Sequence, residues 1–138
     1  MKDDDTNFDS LHDGRLFGIH VDPTLRELRL DCRCKDGVAV SIELSRVVDL
    51  CADNLRLGNI ILMIQVCDDA RQLGVAARQA LAQSERQEIV DRYFAALHAQ
   101  AGEPPKYFLM QSSYGCDLVA LFRGDVRLVR SPLGSTKP

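Results

Sequence analysis

The sequence has no long apolar run. Its longest, from Ile60 to Ile64, falls far short of the roughly 20 apolar residues a bilayer-spanning helix needs. Nor does the start supply a basic segment followed by an apolar stretch and a small-residue cleavage site, because residues 1–10 are polar and acidic. A cytoplasmic protein is expected. Positive charge is scarce as well: 17 Lys and Arg against 20 Asp and Glu give a formal net charge of -3. Phosphate recognition needs a concentrated basic excess, so nucleic acid is a poor partner for this chain, and a membrane is another. The standard signatures of hydrolases and nucleotide-binding folds are absent, with no G-x-S-x-G, no G-x-G-x-x-G and no phosphate-binding glycine loop. There is no internal repeat of useful length and no low-complexity tract.

What is present is the composition of one globular domain. The 138 residues are 46% hydrophobic and 27% charged, enough to bury about two-thirds of the unfolded surface without covalent staples. Five cysteines, an odd number, in a chain able to build its own core read as reduced thiols. Asp3, Asp4, Asp5 and Asp9 make residues 1–10 a mobile acidic arm, although Phe8 has the means to dock. Residues 11–130 form the single α+β domain, and 131–138 a polar tail with two prolines and a glycine.

Within the domain, Phe17, Ile19 and Val21 alternate with Gly18 and His20 as in a half-buried strand. The alternation is clearest in the next segment. There Leu28, Leu30, Cys32 and Cys34 occupy one parity and Glu27, Arg29, Asp31 and Arg33 the other, so the strand has a wet face. Asp36-Gly37 is turn chemistry, and Val38, Val40, Ile42 and Leu44 resume the alternation, which predicts a β-hairpin. The pattern loosens over 47–57, read as a connection, before a β-branched apolar run over 60–67 that predicts a central strand covered, at least in part, on both faces.

Asp68 and Asp69 are placed to cap a helix carrying Ala70, Leu73, Ala76, Ala77, Ala80 and Leu81 through Gly74. Ser84 and Gln87 have the spacing of a capping box, and Ile89, Val90, Tyr93, Phe94 and Leu97 form the stripe of a second helix over 84–101. Strands at 107–111, 117–122 and 126–129 follow, and the short turns between them imply antiparallel neighbours. The expected architecture is an antiparallel sheet of about six strands with one or two helices packed on one face.

Candidate chemistry is sparse. Cys32 and Cys34 lie two apart on an apolar parity, about 7 Å from each other in a strand, without the second pair of a structural zinc site. They read as buried thiols. Cys116 or Ser113 with His12 or His98 lacks any spacing that would assemble a nucleophile and a base, and His98 beside Leu97 reads as a solvated or edge residue. Arg123-Gly124-Asp125 matches the integrin-binding tripeptide, but Gly-Asp between alternating strands is ordinary turn chemistry. No cofactor or metal is expected.

Three short motifs carry a resemblance: Leu11-His12-Asp13-Gly14 opening a strand, Gly58-Asn59-Ile60-Ile61 leading into a central one, and the late turn Ser113-Tyr114-Gly115-Cys116-Asp117. With them the chain resembles a family of small bacterial proteins of unknown function, some similar to the immunity proteins of toxin systems. The resemblance implies a non-enzymatic α+β inhibitor whose partner is a toxin domain, neutralised by direct binding. It carries over no catalytic residue. Read from the residues themselves, the contact surface to expect is the charged parity Glu27, Arg29, Asp31 and Arg33. The competing readings are a small cytosolic enzyme or metal-binding protein using Cys32, Cys34, Cys116 and a histidine, and a subunit that oligomerises through a sheet edge.

Overall fold

The computed structural model describes residues 7–130. It contains the expected hairpin, in which β2 (Glu27–Arg33) pairs antiparallel with β3 (Ala39–Leu44) from Leu28↔Leu44 to Arg33↔Ala39. The turn closes through Gly37 N to the Cys34 carbonyl at 2.9 Å, with Gly37 at φ +95°. Burial along β2 and β3 alternates as the apolar parity requires.

β1 (Arg15–Asp22) pairs along the other edge of β2, but its register shifts between Leu16 and Gly18. That bulge corrects the reading of Phe17 as a core residue: the extra residue turns it outward to 58% exposure, and Leu16 fills the interior instead. Phe8 docks, packing edge-on against Phe108 at 6.1 Å between ring centres, and Asp9–Leu11 form a short 3-10 turn. The ordered chain therefore begins before Leu11, and residues 7–10 belong to the domain rather than to an arm. The remainder of the arm, 1–6, and the tail, 131–138, lie outside the described residues.

The segment read as a connection is a strand, β4 (Val47–Asp53), followed by β5 (Asn59–Cys67). β4 was hard to see because Asp49 and Asp53 interrupt its apolar pattern. After the helical segment come β6 (Lys106–Tyr114), β7 (Asp117–Phe122) and β8 (Val126–Arg130). All eight join one antiparallel sheet in the order β4-β7-β6-β5-β1-β2-β3-β8.

Only Ser45 and Arg46 separate β3 from β4, yet those strands stand far apart in that order; the same holds for β7 and β8 across residues 123–125. Each pair is one ribbon with a bend. Pairing runs through the bend by Ser45 N to Asp125 O at 3.0 Å, Gly124 N to Ser45 O at 3.2 Å and Arg123 N to Arg46 O at 2.9 Å. The sheet thus curls onto itself, with eight strands where about six were expected. Arg123-Gly124-Asp125 is consequently no hairpin turn, since β7 and β8 are not neighbours.

The two halves of the curled sheet enclose the main core. β1, β2 and β3 contribute Leu16, Leu28, Leu30 and Ile42, with Val126 and Leu128 of β8 packed against them; the facing half contributes Phe108, Met110, Leu118 and Phe122. The second half buries its outer face too, with Tyr107, Leu109, Val119 and Leu121 under Leu81, Val90, Phe94 and Leu97 of two helices. Double coverage falls on β6 and β7, while β5 leaves Leu62 and Met63 exposed. The first predicted helix is broken: Ala70–Gln72 is a 3-10 turn capped by Asp69, the chain turns at Gly74 with φ +85°, and α1 spans Val75–Ala82. α2 spans Gln87–Ala99, later than the capping box would place it, because Ser84 Oγ accepts from Arg86 N at 3.1 Å rather than from Gln87.

Candidate functional site

The outer face of β1, β2, β3 and β8 has no element packed over it among the described residues, and it carries the charged parity of β2. Glu27, Arg29 and Arg33 are exposed and Asp31 is half-buried. Register assembles these side chains with partners from other strands into rows. One row runs His20, Arg29, Glu43, Arg127 across four strands. The next begins at Gly18 and continues Asp31, Ser41, Val129.

These two rows neutralise each other. The Asp31 carboxylate takes His20 Nε2 at 2.8 Å on one oxygen, and Arg29 Nε and Ser41 Oγ, each at 3.2 Å, on the other. Arg127 Nη2 lies 2.6 Å from Glu43 Oε1. Arg33 is engaged separately, donating to the Gly37 carbonyl at 3.3 Å and lying 5.6 Å from the centre of the Phe17 ring. The bulge that expelled Phe17 thus gave Arg33 an aromatic face to rest on.

A third row is different. Asp22 stands opposite Glu27 at the end of the β1–β2 ladder, and the bend hydrogen bond places Ser45 beside Asp125 across the neighbouring ribbon. The row contains three carboxylates and no cation. With His20, Arg29, Glu43 and Arg127 it lines a concavity of about 680 Å³. Of the residues here, the sequence pattern pointed to Glu27, Arg29, Asp31 and Arg33; Asp22, Glu43, Ser45, Asp125 and Arg127 enter only through register, which no local periodicity encodes.

No family model, no curated protein and no solved structure matches the chain. The site must be read from its own geometry.

The other candidate residues are dispersed. Cys32, Cys34 and Cys116 sit in the main core, and all five cysteines are free. Burial, with help from the Asp31 charge and then Cys34, pushes the Cys32 thiol up to about 12, which suits packing and not nucleophilic attack. His12 lies 3.5 Å from Asp13 at the surface. His98 is tethered to the fully buried Tyr107, ring nitrogen to hydroxyl at 2.8 Å, and burial raises the Tyr107 pKa. The bond clamps the last turn of α2 onto β6. Among the described residues no three His, Cys, Asp or Glu side chains are grouped to hold a metal ion. No described helix is long and apolar enough to cross a membrane.

Proposed function

We propose that the chain is a non-enzymatic protein-binding module of immunity type, which neutralises a bacterial toxin domain by binding it through the outer face of β1, β2, β3 and β8. One observation carries this reading: the fold covers one outer sheet face with two helices and leaves the opposite one bare, lined by charges held in fixed rows. Side chains mounted on strands and tied to each other lose little freedom when a partner arrives, which favours affinity and a fast, charge-steered encounter.

Size sets how far the contact must reach. Four strands at about 4.8 Å spacing and roughly 20 Å of length give a flat area of about 400 Å², half of the ~800 Å² per partner in a stable complex. The contact therefore extends onto the β1–β2 turn, where Leu25 is 63% exposed, and onto Val21 at 52%. These apolar groups supply the desolvated anchors that the charged rows lack.

The test is to co-express the chain with the toxin domain encoded beside its gene, isolate an equimolar complex, and measure association for Glu27→Arg, Arg29→Glu, Asp31→Arg and Arg33→Glu at low and high salt. At least one reversal should slow association at low salt and converge on the parent at high salt. Failure to form a complex, or four variants indistinguishable from the parent at both salts, overturns the reading.

A further inference from the structure

Deepening the reading above and resting on it, we infer that the protein partner inserts an extended apolar segment between β1 and β4, where it pairs as a further strand. Along 17–22 of β1 the edge away from β2 has no backbone partner among the described residues, and the same holds along 48–53 of β4 for the edge away from β7. The two strands are not paired with each other, yet their ends are tied. Val47 N donates to the Arg26 carbonyl at 2.9 Å beside the β1–β2 turn. At the other end the Asn59 carboxamide donates to Leu16 O at 3.3 Å and accepts from Cys116 N at 3.0 Å, next to the Asp53↔Asp117 pair of β4 and β7. One amide with a hydrogen bond on either side bridges that end, as a peptide group of a single intervening strand does.

The slot framed in this way is apolar. Six of the eleven large apolar side chains exposed among the described residues belong to it: Phe17, Val21 and Val48 on its walls, Leu25 in the turn at one end, Leu55 and Leu57 in the loop at the other. A cavity of about 310 Å³ has Val21 and Asp22 on one side and Val47 and Leu50 on the other. Ile19 and Leu50, one from each wall, are half-buried against the main core, so alternate side chains of an inserted strand extend that core. Residues 17–21 include no Lys, Arg, Asp, Glu or Pro, the residues that normally protect an unpaired edge.

Only a segment free on both edges can enter. Every described strand already has an edge paired, which excludes the sheet of a second copy. The chain's own ends, one with Asp3, Asp4 and Asp5 and the other with Pro132 and Pro138, lack an alternating apolar pattern. The segment therefore comes from the partner. Asp22, Glu27 and Asp49 stand at the mouth with Arg26, whose guanidinium is spent on the Val47 carbonyl at 3.4 Å, so a basic flank suits the incoming strand. β1 also borders the charged outer face, and strand addition supplies contact area that this face, about half the size a stable complex needs, lacks.

The probe is the peptide acetyl-Lys-Val-Thr-Val-Thr-Val-Lys amide, titrated into the isotopically labelled full chain and followed by NMR and amide exchange. Saturable shifts and slowed exchange are expected at 17–22 and 48–53. Two analogues, N-methylated on the odd or on the even residues, should each bind about tenfold or more weakly, because an inserted strand bonds along both edges. Val21→Lys/Val48→Lys, which alters two exposed positions, should weaken binding similarly, and Leu62→Lys/Met63→Lys on β5 should leave it unchanged. No protection at millimolar peptide, weakening by one methylated parity alone, or slowed exchange of these amides already in the free chain each overturns the inference; the last would mean that the chain's own ends or a second copy fill the slot. The two proposals fail separately. A toxin complex that forms without protecting 17–22 and 48–53 sinks the slot alone, whereas peptide pairing with no toxin complex sinks the immunity reading alone.

Discussion

Replacing Asn59 with alanine is the sharpest test of how this fold is held shut. Asn59 is 3% exposed and is the buried polar residue where β1, β5 and the β6–β7 turn meet. Its Oδ1 accepts from Arg56 N at 2.9 Å and from Cys116 N at 3.0 Å; its Nδ2 donates to Arg56 O at 2.7 Å and Leu16 O at 3.3 Å. Alanine leaves these four backbone groups without that partner. Two sit near enough to the surface, in the 54–58 loop, to find water, while Cys116 N and Leu16 O do not. At about 1–3 kcal/mol for each buried group left unpaired and about 1 for each wet bond lost, the cost at the lower end of that range is about 4 kcal/mol. For a domain of this size that lowers Tm by roughly 10–15 °C. Urea unfolding followed by circular dichroism measures it directly. Gly115 refines the test: its φ is +100°, and a Cβ there would lie 2.3 Å from Asn59 Oδ1. Gly115→Ala should therefore destabilise too, and less than additively with Asn59→Ala, because both break one contact. A loss below about 1 kcal/mol for Asn59→Ala, or strict additivity, refutes the view of this junction as a single latch.

Cys32, with its thiol pushed up to about 12 from 9.0 by burial, should resist thiol reagents in the native protein at pH 8, and rapid labelling would contradict its inward position. The folded pKa lies above the unfolded one, so its contribution to stability is intact below pH 9 and declines as pH rises toward 12; Cys32→Ala should flatten that part of the stability profile. Arg123→Gln should loosen the end of α2, since the Arg123 guanidinium binds the Leu97 carbonyl at 3.2 Å, Gln100 Oε1 at 2.9 Å and the Glu103 carbonyl. Faster amide exchange over the last turn of α2, with β2 and β3 unaffected, is the expected result, and uniform exchange across the chain would contradict it.

The hairpin, its inward cysteines and the second helix were legible because each depends on neighbours in sequence: alternation, turn chemistry at Asp36-Gly37, and a stripe of Val90, Phe94 and Leu97. What escaped depends on distant chain. Phe17 faces water because β2 opposes β1 with one residue fewer, and nothing near Phe17 announces that. β4 hid behind Asp49 and Asp53, yet it pairs with β7 along its length, from Val47↔Phe122 to Asp53↔Asp117. Most consequentially, the bend at Ser45 and Gly124 turns an apparent hairpin at 123–125 and an apparent connection after β3 into continuous ribbons. A Cβ on Gly124 would lie 2.3 Å from Ser45 Oγ, a closeness between residues that local pattern reading treats as unrelated. The candidate site was half visible for the same reason: one strand's parity gave Glu27 to Arg33, and register alone added Asp22 and Asp125.

The three motifs behind the resemblance meet at one place. Asp13 N donates to Ile61 O at 2.8 Å, Ile61 N to Gly14 O at 2.9 Å, and Asn59 holds Cys116 N against Gly115. Strand opening, central-strand start and late turn are thus parts of the latch that closes the sheet, a task fixed by backbone geometry and indifferent to what the protein binds. The acidic row at the bend shares no residue with them. The charges on the outer face of β1, β2, β3 and β8 are thus not fixed by the latch. On the immunity reading, reversing Glu27 and Arg29 together should therefore weaken binding to the cognate toxin domain at unchanged Tm, and the loss should be recovered by reversing the partner's contacting charges. Loss of binding that no charge reversal on the partner restores would place specificity elsewhere on the molecule.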